Sequence, residues 1–277
     1  MQTYLRWKGG RARAFTLSYD DGVVQDGRLV DVLNKHGLKA TFNLNAGQYL
    51  PEDAVREKYR GRMKRSEALA LYKGSGHEVA THGYSHPFLD RISAPDCVRE
   101  IMLDRMSLEA DYGTLVCGHA YPYGAYNANV KRILGDCGIA YARTTVQTNG
   151  FDIPNDFLEW HSTCHHASRQ LPELVRRFFD RTAIMRQHGL LFYVWGHSYE
   201  FDDADNWSVI EELAEKVGGH EDVWYATNGE ICDYVNAYRR LEKSADGKTV
   251  YNPSATELFL AVKGEVYRVG AGETVHI

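Results

Sequence analysis

Three observations predict an α/β fold built on a parallel sheet, with a small all-β appendage at the C-terminal end of the chain. Short apolar runs alternate with longer amphipathic ones from Phe15 to Leu241. Polar clusters stand at the ends of four of those runs. After about Ser244 the helical period disappears and two five-residue strand-like runs take its place. Strand–helix alternation on this scale implies right-handed crossovers between parallel strands, in a sheet either open or closed into a barrel.

The elements follow in order. Phe15 to Ser18 is a strand, and Gly27 to His36 a helix closed by Gly37, which tolerates the left-handed turn at a helix end. Ala40 to Leu44 is the next strand. Ser66 opens a helix stopped by Gly74 and Gly76, and Glu78 to Ala80 returns as strand. Pro95 to Tyr112 is a long helix with Val98, Ile101, Met102 and Met106 expected on one face. Thr114 to Cys117 is expected as a strand, Asn127 to Cys137 as a helix, Ala140 to Ala142 as a strand and Leu171 to His188 as a helix. Leu190 to Trp195 is apolar throughout, the pattern of a strand covered on both faces. A helix from Trp207 to Val217, a strand from Val223 to Ala226 and a helix from Gly229 to Leu241 complete the body, with Trp207 and Trp224 assigned to the core. Leu258 to Val262 and Glu265 to Val269 flank Lys263-Gly264 as a β-hairpin. The division is residues 1–243 for the body and 244–277 for the appendage. The hairpin's exposed edge is a liability, so pairing with the body or with a second subunit, as in a homodimer, is expected.

Composition narrows the function. At 277 residues, 44% hydrophobic and 25% charged, the chain has enough core to fold without disulfides, burying roughly three quarters of its extended surface. A formal net charge of -5 is too mild to point to nucleic acid or an anionic membrane. No run reaches the ~18 apolar residues of a membrane span. The start, Met1 to Gly10, lacks the apolar core of a signal peptide, and Cys97, Cys117, Cys137, Cys164 and Cys232 form no C-x-x-C pair. Both features give a cytoplasmic expectation with reduced thiols.

In parallel α/β folds, chemistry collects at the C-terminal ends of strands. The first strand ends in Ser18-Tyr19-Asp20-Asp21-Gly22. Adjacent carboxylates diverge there, so one can hold a metal while the other serves as a base, unless the pair is only an acidic turn. His82-Gly83-Tyr84-Ser85-His86 spaces two imidazoles i, i+4, on one face if the loop makes a helical turn. With one carboxylate they form a two-His, one-carboxylate set, able to polarise a carbonyl and lower the pKa of water from 15.7 towards about 7. Tyr121-Pro122-Tyr123-Gly124 is a rigid turn able to aim a main-chain N–H at an oxyanion. Trp195-Gly196-His197 ends the apolar strand with an imidazole suited to general-acid work.

In order and spacing these four motifs resemble carbohydrate esterase family 4, the NodB-homology polysaccharide deacetylases, over roughly residues 12–230. The resemblance implies a deformed (β/α) barrel and a metal-dependent deacetylase acting on N-acetylated sugars. It implies Asp21, His82 and His86 as ligands of a divalent metal, zinc with cobalt or nickel as substitutes, and Asp20 as the general base. It implies His197 as the general acid and the Tyr123 backbone N–H as the oxyanion donor, with Tyr121 and Trp195 beside the substrate. Trp160, in Asp156-x-x-Glu159-Trp160, would line the acetyl pocket while one of those carboxylates orients His197. Apart from the resemblance, the density of imidazoles at His161, His165 and His166 reads either as an irregular loop with surface histidines or as substrate contact by His165 or His166 near the metal.

The departures carry expectations of their own. The family's arginine two residues before the turn proline is replaced by Ala120, so Asp20 is expected to lack a cationic partner and to be a stronger base. Tyr199, Glu200 and Asp202 follow His197 as candidates for sugar stacking or hydroxyl binding. The His-Gly-Tyr-Ser-His form also resembles relatives that hydrolyse cyclic imides and ureides. An O-acetyl xylan esterase and an inactive carbohydrate-binding relative complete the alternatives.

Overall fold

A computed structural model describes residues 2–55, 61–180 and 189–277. The strands, in chain order, are β1 (Tyr4–Arg6), β2 (Arg13–Asp20), β3 (Ala40–Leu44), β4 (Glu78–Thr81), β5 (Gly118–Ala120), β6 (Tyr141–Gln147), β7 (Trp160–Ser162), β8 (Cys164–His165), β9 (Leu190–Gly196), β10 (Val223–Tyr225), β11 (Glu242–Lys243), β12 (Thr249–Tyr251), β13 (Leu258–Val262), β14 (Glu265–Val269) and β15 (Thr274–His276). The helices are α1 (Asp26–Lys35), α2 (Arg65–Tyr72), α3 (Ala94–Tyr112), α4 (Ala128–Asp136), α5 (Leu171–Phe178), α6 (Tyr199–Asp203), α7 (Ser208–Val217) and α8 (Asn228–Arg239).

The parallel sheet runs β7-β6-β5-β4-β3-β2-β9-β8, with β10 added beside β2. Its two ends are halves of one extended run. Residues 160–162 pair with β6 while 164–165 pair with β9, and Thr163 N–H donates to the Tyr193 carbonyl at 2.8 Å between them. That segment, which carries no strand signal in the sequence, nearly closes the sheet into a barrel. The α/β barrel expectation is met.

Two expected elements move. The strand expected at Thr114 to Cys117 lies at Gly118–Ala120, and Leu115 is 81% exposed. Gly118 is required there, because a Cβ would stand 2.1 Å from the Tyr141 hydroxyl. The strand therefore lacks the β-branched residues that advertise one. The long helix α3 buries Cys97, Ile101, Asp104, Leu108, Asp111 and Tyr112, whereas Val98 and Met106 are exposed. Two carboxylates on its inner face disguise the period. The helix begun at Leu171 ends at Phe178, and residues 181–188 of its expected span lie outside the described residues.

The core has two main parts. Phe15, Leu17, Phe42, Phe192 and Val194 meet α1, α5 and α7 on one side. Trp7, Trp160, Tyr193, Trp224 and Tyr234 form an aromatic cluster on the other. The C-terminal hairpin pairs β13 with β1 in the register Leu5↔Leu260. Trp7, fully buried, donates its indole N–H to the Leu190 carbonyl at 2.9 Å. These contacts seat the appendage at the N-terminal ends of β2 and β9, away from the polar strand ends. A second small sheet, β11-β12-β15, packs Val250 and Val275 beside it. Among the described residues, no helix is long and apolar enough to cross a membrane.

Candidate metal centre and active site

The strand ends bring the expected polar residues to one cavity of about 480 Å³. Its walls include Asp20, Asp21, His82, His86, Tyr121, Tyr123, Trp195, His197 and Tyr199, together with Arg62 and Thr145. Asp20, the last residue of β2, points into the barrel and is 2% exposed. Asp21 leaves the strand in the left-handed region at φ 86°, followed by Gly22 at φ 62°. This conformation is rare for a residue with a Cβ, and it turns the second carboxylate away from the first.

The histidine loop is not helical, contrary to the condition placed on the i, i+4 spacing. Gly83 at φ 77° and His86 at φ 61° fold it back instead. His86 Nε2 thereby stands 3.1 Å from His82 Nε2, and Asp21 Oδ1 stands 3.8 Å from His86 Nε2 and 4.0 Å from His82 Nε2. Donors held by one zinc ion at about 2.1 Å stand about 3.4 Å apart, so the three atoms are spaced for a shared cation. His82 Nδ1 lies 2.8 Å from the Ala120 carbonyl, which fixes the proton on Nδ1 and leaves the Nε2 lone pair facing the site. Burial lowers the pKa of His82 despite Asp20 and Asp21. It also lowers that of His86, reinforced by His82. Both imidazoles are therefore neutral at pH 7, as ligands must be. Asp104, buried on α3, accepts from the main-chain N–H of His82 at 2.9 Å and of Ala46 at 2.7 Å.

Asp20 has a cationic partner after all. Arg143, fully buried on β6, donates to Asp20 Oδ2, and Asn43 Nδ2 donates to Oδ1 at 2.8 Å. Burial alone would raise the Asp20 pKa; Arg143 first, then His82, His197 and Asn43, outweigh it and bring it down to about 2. The expected stronger base is corrected to a firmly ionised, weaker one. Arg143 is the cross-strand neighbour of Ala120 in the β5–β6 register, so the cation arrives from the adjacent strand. Its guanidinium also lies 4.2 Å over the Trp195 ring.

His197 Nε2 is 3.8 Å from Asp20 Oδ2, and its Nδ1 is 3.1 Å from Glu200 Oε1. Burial would lower the His197 pKa, but the Glu200 hydrogen bond and the Asp20 and Glu200 charges outweigh it, and the pKa is raised. Glu200, expected as a sugar ligand, is thus the carboxylate that orients His197. The expected orienting pair, Asp156 and Glu159, is instead tied to Lys131 Nζ at 2.7 and 2.5 Å. Asp202 is occupied by Gln25 Nε2 at 2.9 Å and the Trp207 indole N–H at 2.7 Å.

Trp160 is 1% exposed and sits in the aromatic core against Tyr141, Phe157 and Tyr193, not on the cavity wall. His165 also stands back. Its Nδ1 accepts from Ala167 N–H at 3.1 Å, so Nε2 carries the proton and donates to Glu200 Oε2 at 3.1 Å; His166 Nε2 reaches the same oxygen at 3.0 Å. His165, His197 and Glu200 lie close enough to surround an ion. The Ala167 hydrogen bond makes His165 Nε2 a donor, however, and so identifies the cluster as a hydrogen-bond network. Tyr121 is buried, with its hydroxyl donating to the Leu158 carbonyl at 2.7 Å, and its ring forms wall. Tyr123, at φ 58° and 57% exposed, stacks on Phe88 with centroids 4.0 Å apart and meets the His86 ring edge-on.

Residues 8–142 match the family model described as polysaccharide deacetylase. Over that stretch the chain carries a polysaccharide deacetylase domain. Chitin deacetylase 1 of Cryptococcus neoformans var. grubii is 27% identical over 147 residues, which are 52% of this chain and 28% of that protein. The chitin deacetylase of Pestalotiopsis sp. is 25% identical over 51% of this chain and 45% of its own length. The chain thus spans less than half the length of these curated relatives. A putative polysaccharide deacetylase from Mycobacterium smegmatis shares the fold with a TM-score of 0.64 at 17% identity, covering 85% of this chain and 94% of that one. Sequence reasoning missed Arg62, Arg143, Asn43, Asn45 and Asp104. None lies in a motif: Asn43 and Arg143 are placed by the parallel register, Asn45 by the turn after β3, Asp104 by α3 and Arg62 by its bridge to Val23.

Proposed function

We propose that the chain hydrolyses acetyl groups from N-acetylated sugars in a reaction that depends on a divalent cation held by Asp21, His82 and His86. The observation that carries this reading is the convergence of those three donor atoms beside Asp20 and His197 on one cavity. The donor set suits zinc, with cobalt or nickel as substitutes. When bound, the cation supplies Lewis acidity that acidifies water and polarises the acyl oxygen. Asp20 Oδ2 accepts the proton of the attacking water, and Arg143 and Asn43 keep it ionised and fixed. The Tyr123 main-chain N–H supports the developing oxyanion. His197 Nε2 delivers a proton to the departing amine, with Glu200 holding Nδ1. Trp195 and Tyr199 bound the substrate. The names of the curated relatives favour N-acetylglucosamine units within a glycan as the substrate class.

The test is metal content of the purified chain coupled to acetate release from acetylated chito- and xylo-oligosaccharides, with and without chelator. Asp21→Ala, His82→Ala and His86→Ala should each remove metal and activity together. Asp20→Asn should retain the metal and lose on the order of 10²–10⁴ in rate. Metal loss in Asp20→Asn with retention in Asp21→Asn would reverse the two roles. Metal without acetate release from any glycan would refute deacetylation and turn the assay to cyclic imides.

A further inference from the structure

The three residues read as ligands all lie outside the helices and strands. Asp21 has φ 86° and His86 φ 61°, and both are non-glycine residues in the left-handed region. Such conformations persist only where surrounding contacts over-determine them. Arg62, outside every motif, supplies those contacts for Asp21. One guanidinium nitrogen donates to the Asp21 carbonyl and to Asn45 Oδ1, the latter at 2.7 Å, and the other lies 2.8 Å from Asp21 Oδ1. The same side chain therefore grips both the main chain and the carboxylate of one residue.

Asn45 extends the grip. It is 2% exposed, and its Nδ2 donates to the His82 and Gly83 carbonyls, both at 2.6 Å. Arg62 and Asn45 thus join the loops after β2, β3 and β4; the first and last of these carry all three ligands, and the contacts reach Asp21 and the main chain at His82. Arg62 is itself anchored. It forms a β-bridge with Val23, while Met63 N–H donates to the Gly22 carbonyl at 3.0 Å and Val24 N–H to the Gly61 carbonyl at 3.2 Å.

We infer that Arg62 is a positioning residue for the cation site, acting with Asn45 to hold Asp21 and His82 in ligand geometry before an ion arrives. The inference rests on the reading of Asp21, His82 and His86 as ligands. Its rival is electrostatic and opposite in sign. A guanidinium against a ligand carboxylate repels an incoming cation and competes for the same oxygen, so as a mere charge Arg62 should weaken metal binding. A clamp should strengthen it, because outer contacts of ligands typically contribute 10–100-fold in affinity.

Arg62→Lys and Arg62→Ala separate the two. Lysine keeps the charge but presents one point donor in place of a planar fork. Metal-stripped full-length protein is titrated with Zn²⁺ against a competing chelator and with Co²⁺ by visible absorption, and the thermal transition of the stripped protein is recorded. The expected result is Zn²⁺ affinity about 10–100-fold lower in Arg62→Ala. Arg62→Lys should also be weakened, with an altered Co²⁺ spectrum and a thermal transition close to wild type in both. Affinity unchanged or tighter in Arg62→Ala would overturn the clamp while leaving the ligand set intact. A collapse of the stripped protein's thermal transition would overturn it in favour of a general folding role. Wild-type protein that binds neither ion would remove the ligand assignment and this inference together.

Discussion

Glu200→Gln tests the acid half of the site most directly. Glu200 Oε1 is 3.1 Å from His197 Nδ1, and Oε2 takes hydrogen bonds from His165 and His166 at 3.1 and 3.0 Å. Gln keeps the volume and one carbonyl oxygen but removes the charge. A hydrogen bond to a charged group contributes about 1.5–3 kcal/mol. Losing it should therefore lower the His197 pKa, which the Glu200 hydrogen bond and charge now hold up. The sign follows from the role. In the proposed role His197 is the protonated donor, and Glu200 and Asp20 raise its pKa, so activity should be present below that raised value and lost as pH rises through it. The variant should lose its proton donor earlier, bringing the alkaline limb of kcat/KM to lower pH. The deficit should be small near pH 6 and large near pH 8, where an unshifted imidazole is mostly neutral.

The assay is acetate release from an acetylated chito-oligosaccharide across pH at saturating Zn²⁺, since kcat/KM reports the pKa of the free enzyme. Glu200→Asp should recover part of the limb, because the charge returns at a longer reach. An alkaline limb in Glu200→Gln that coincides with wild type would refute the assignment of Glu200 as the partner that tunes His197. A uniform drop at all pH values would reduce Glu200 to a structural role.

Two further predictions concern the supports of the site. Arg143→Met leaves Asp20 buried without its cation and should cost about 3–5 kcal/mol in urea unfolding, the usual result of breaking one side of a buried pair; retained stability would show that Asp20 takes up a proton freely. Trp160→Ala should cost about 3–5 kcal/mol as a large core truncation, whereas Trp160→Phe should leave KM for acetylated oligosaccharides unchanged. A KM rise in Trp160→Phe would return Trp160 to the acetyl pocket.

What the sequence made legible follows the physics of each element. β3 and the β13–β14 pair were readable to the residue because each is a short run rich in strand-forming residues, and Lys263-Gly264 supplies the turn between the last two. β5 was not, since Gly118-His119-Ala120 has almost no strand propensity and is held by the close approach of Tyr141. The closing segment 160–165 was hidden because its two halves pair with different neighbours. On α3 the inner face carries Asp104, placed there to accept the His82 main-chain N–H, so the residue that supports the site breaks the pattern that would have oriented the helix.

The same logic explains the two errors about charge at the site. A motif reading asks whether a given residue stands at a given position, and Ala120 and the Asp156–Glu159 pair answered that question misleadingly. The chemistry asks only that a cation reach Asp20 and a carboxylate reach His197. Parallel pairing puts Ala120 and Arg143 side by side, so a guanidinium from either strand can meet the Asp20 carboxylate. A short helical turn puts Glu200 three residues after His197 and against its Nδ1, so no distant carboxylate is needed. A partner of this kind can be supplied from across a ladder or along a turn without changing the geometry it serves. The residues proposed to touch the reacting atoms have less latitude, because strand ends and left-handed turns fix where their atoms point. That difference in freedom is why the convergence of Asp20, Asp21, His82, His86 and His197 on one cavity could be anticipated from the chain, while the contacts of Arg143, Glu200 and Arg62 required the fold.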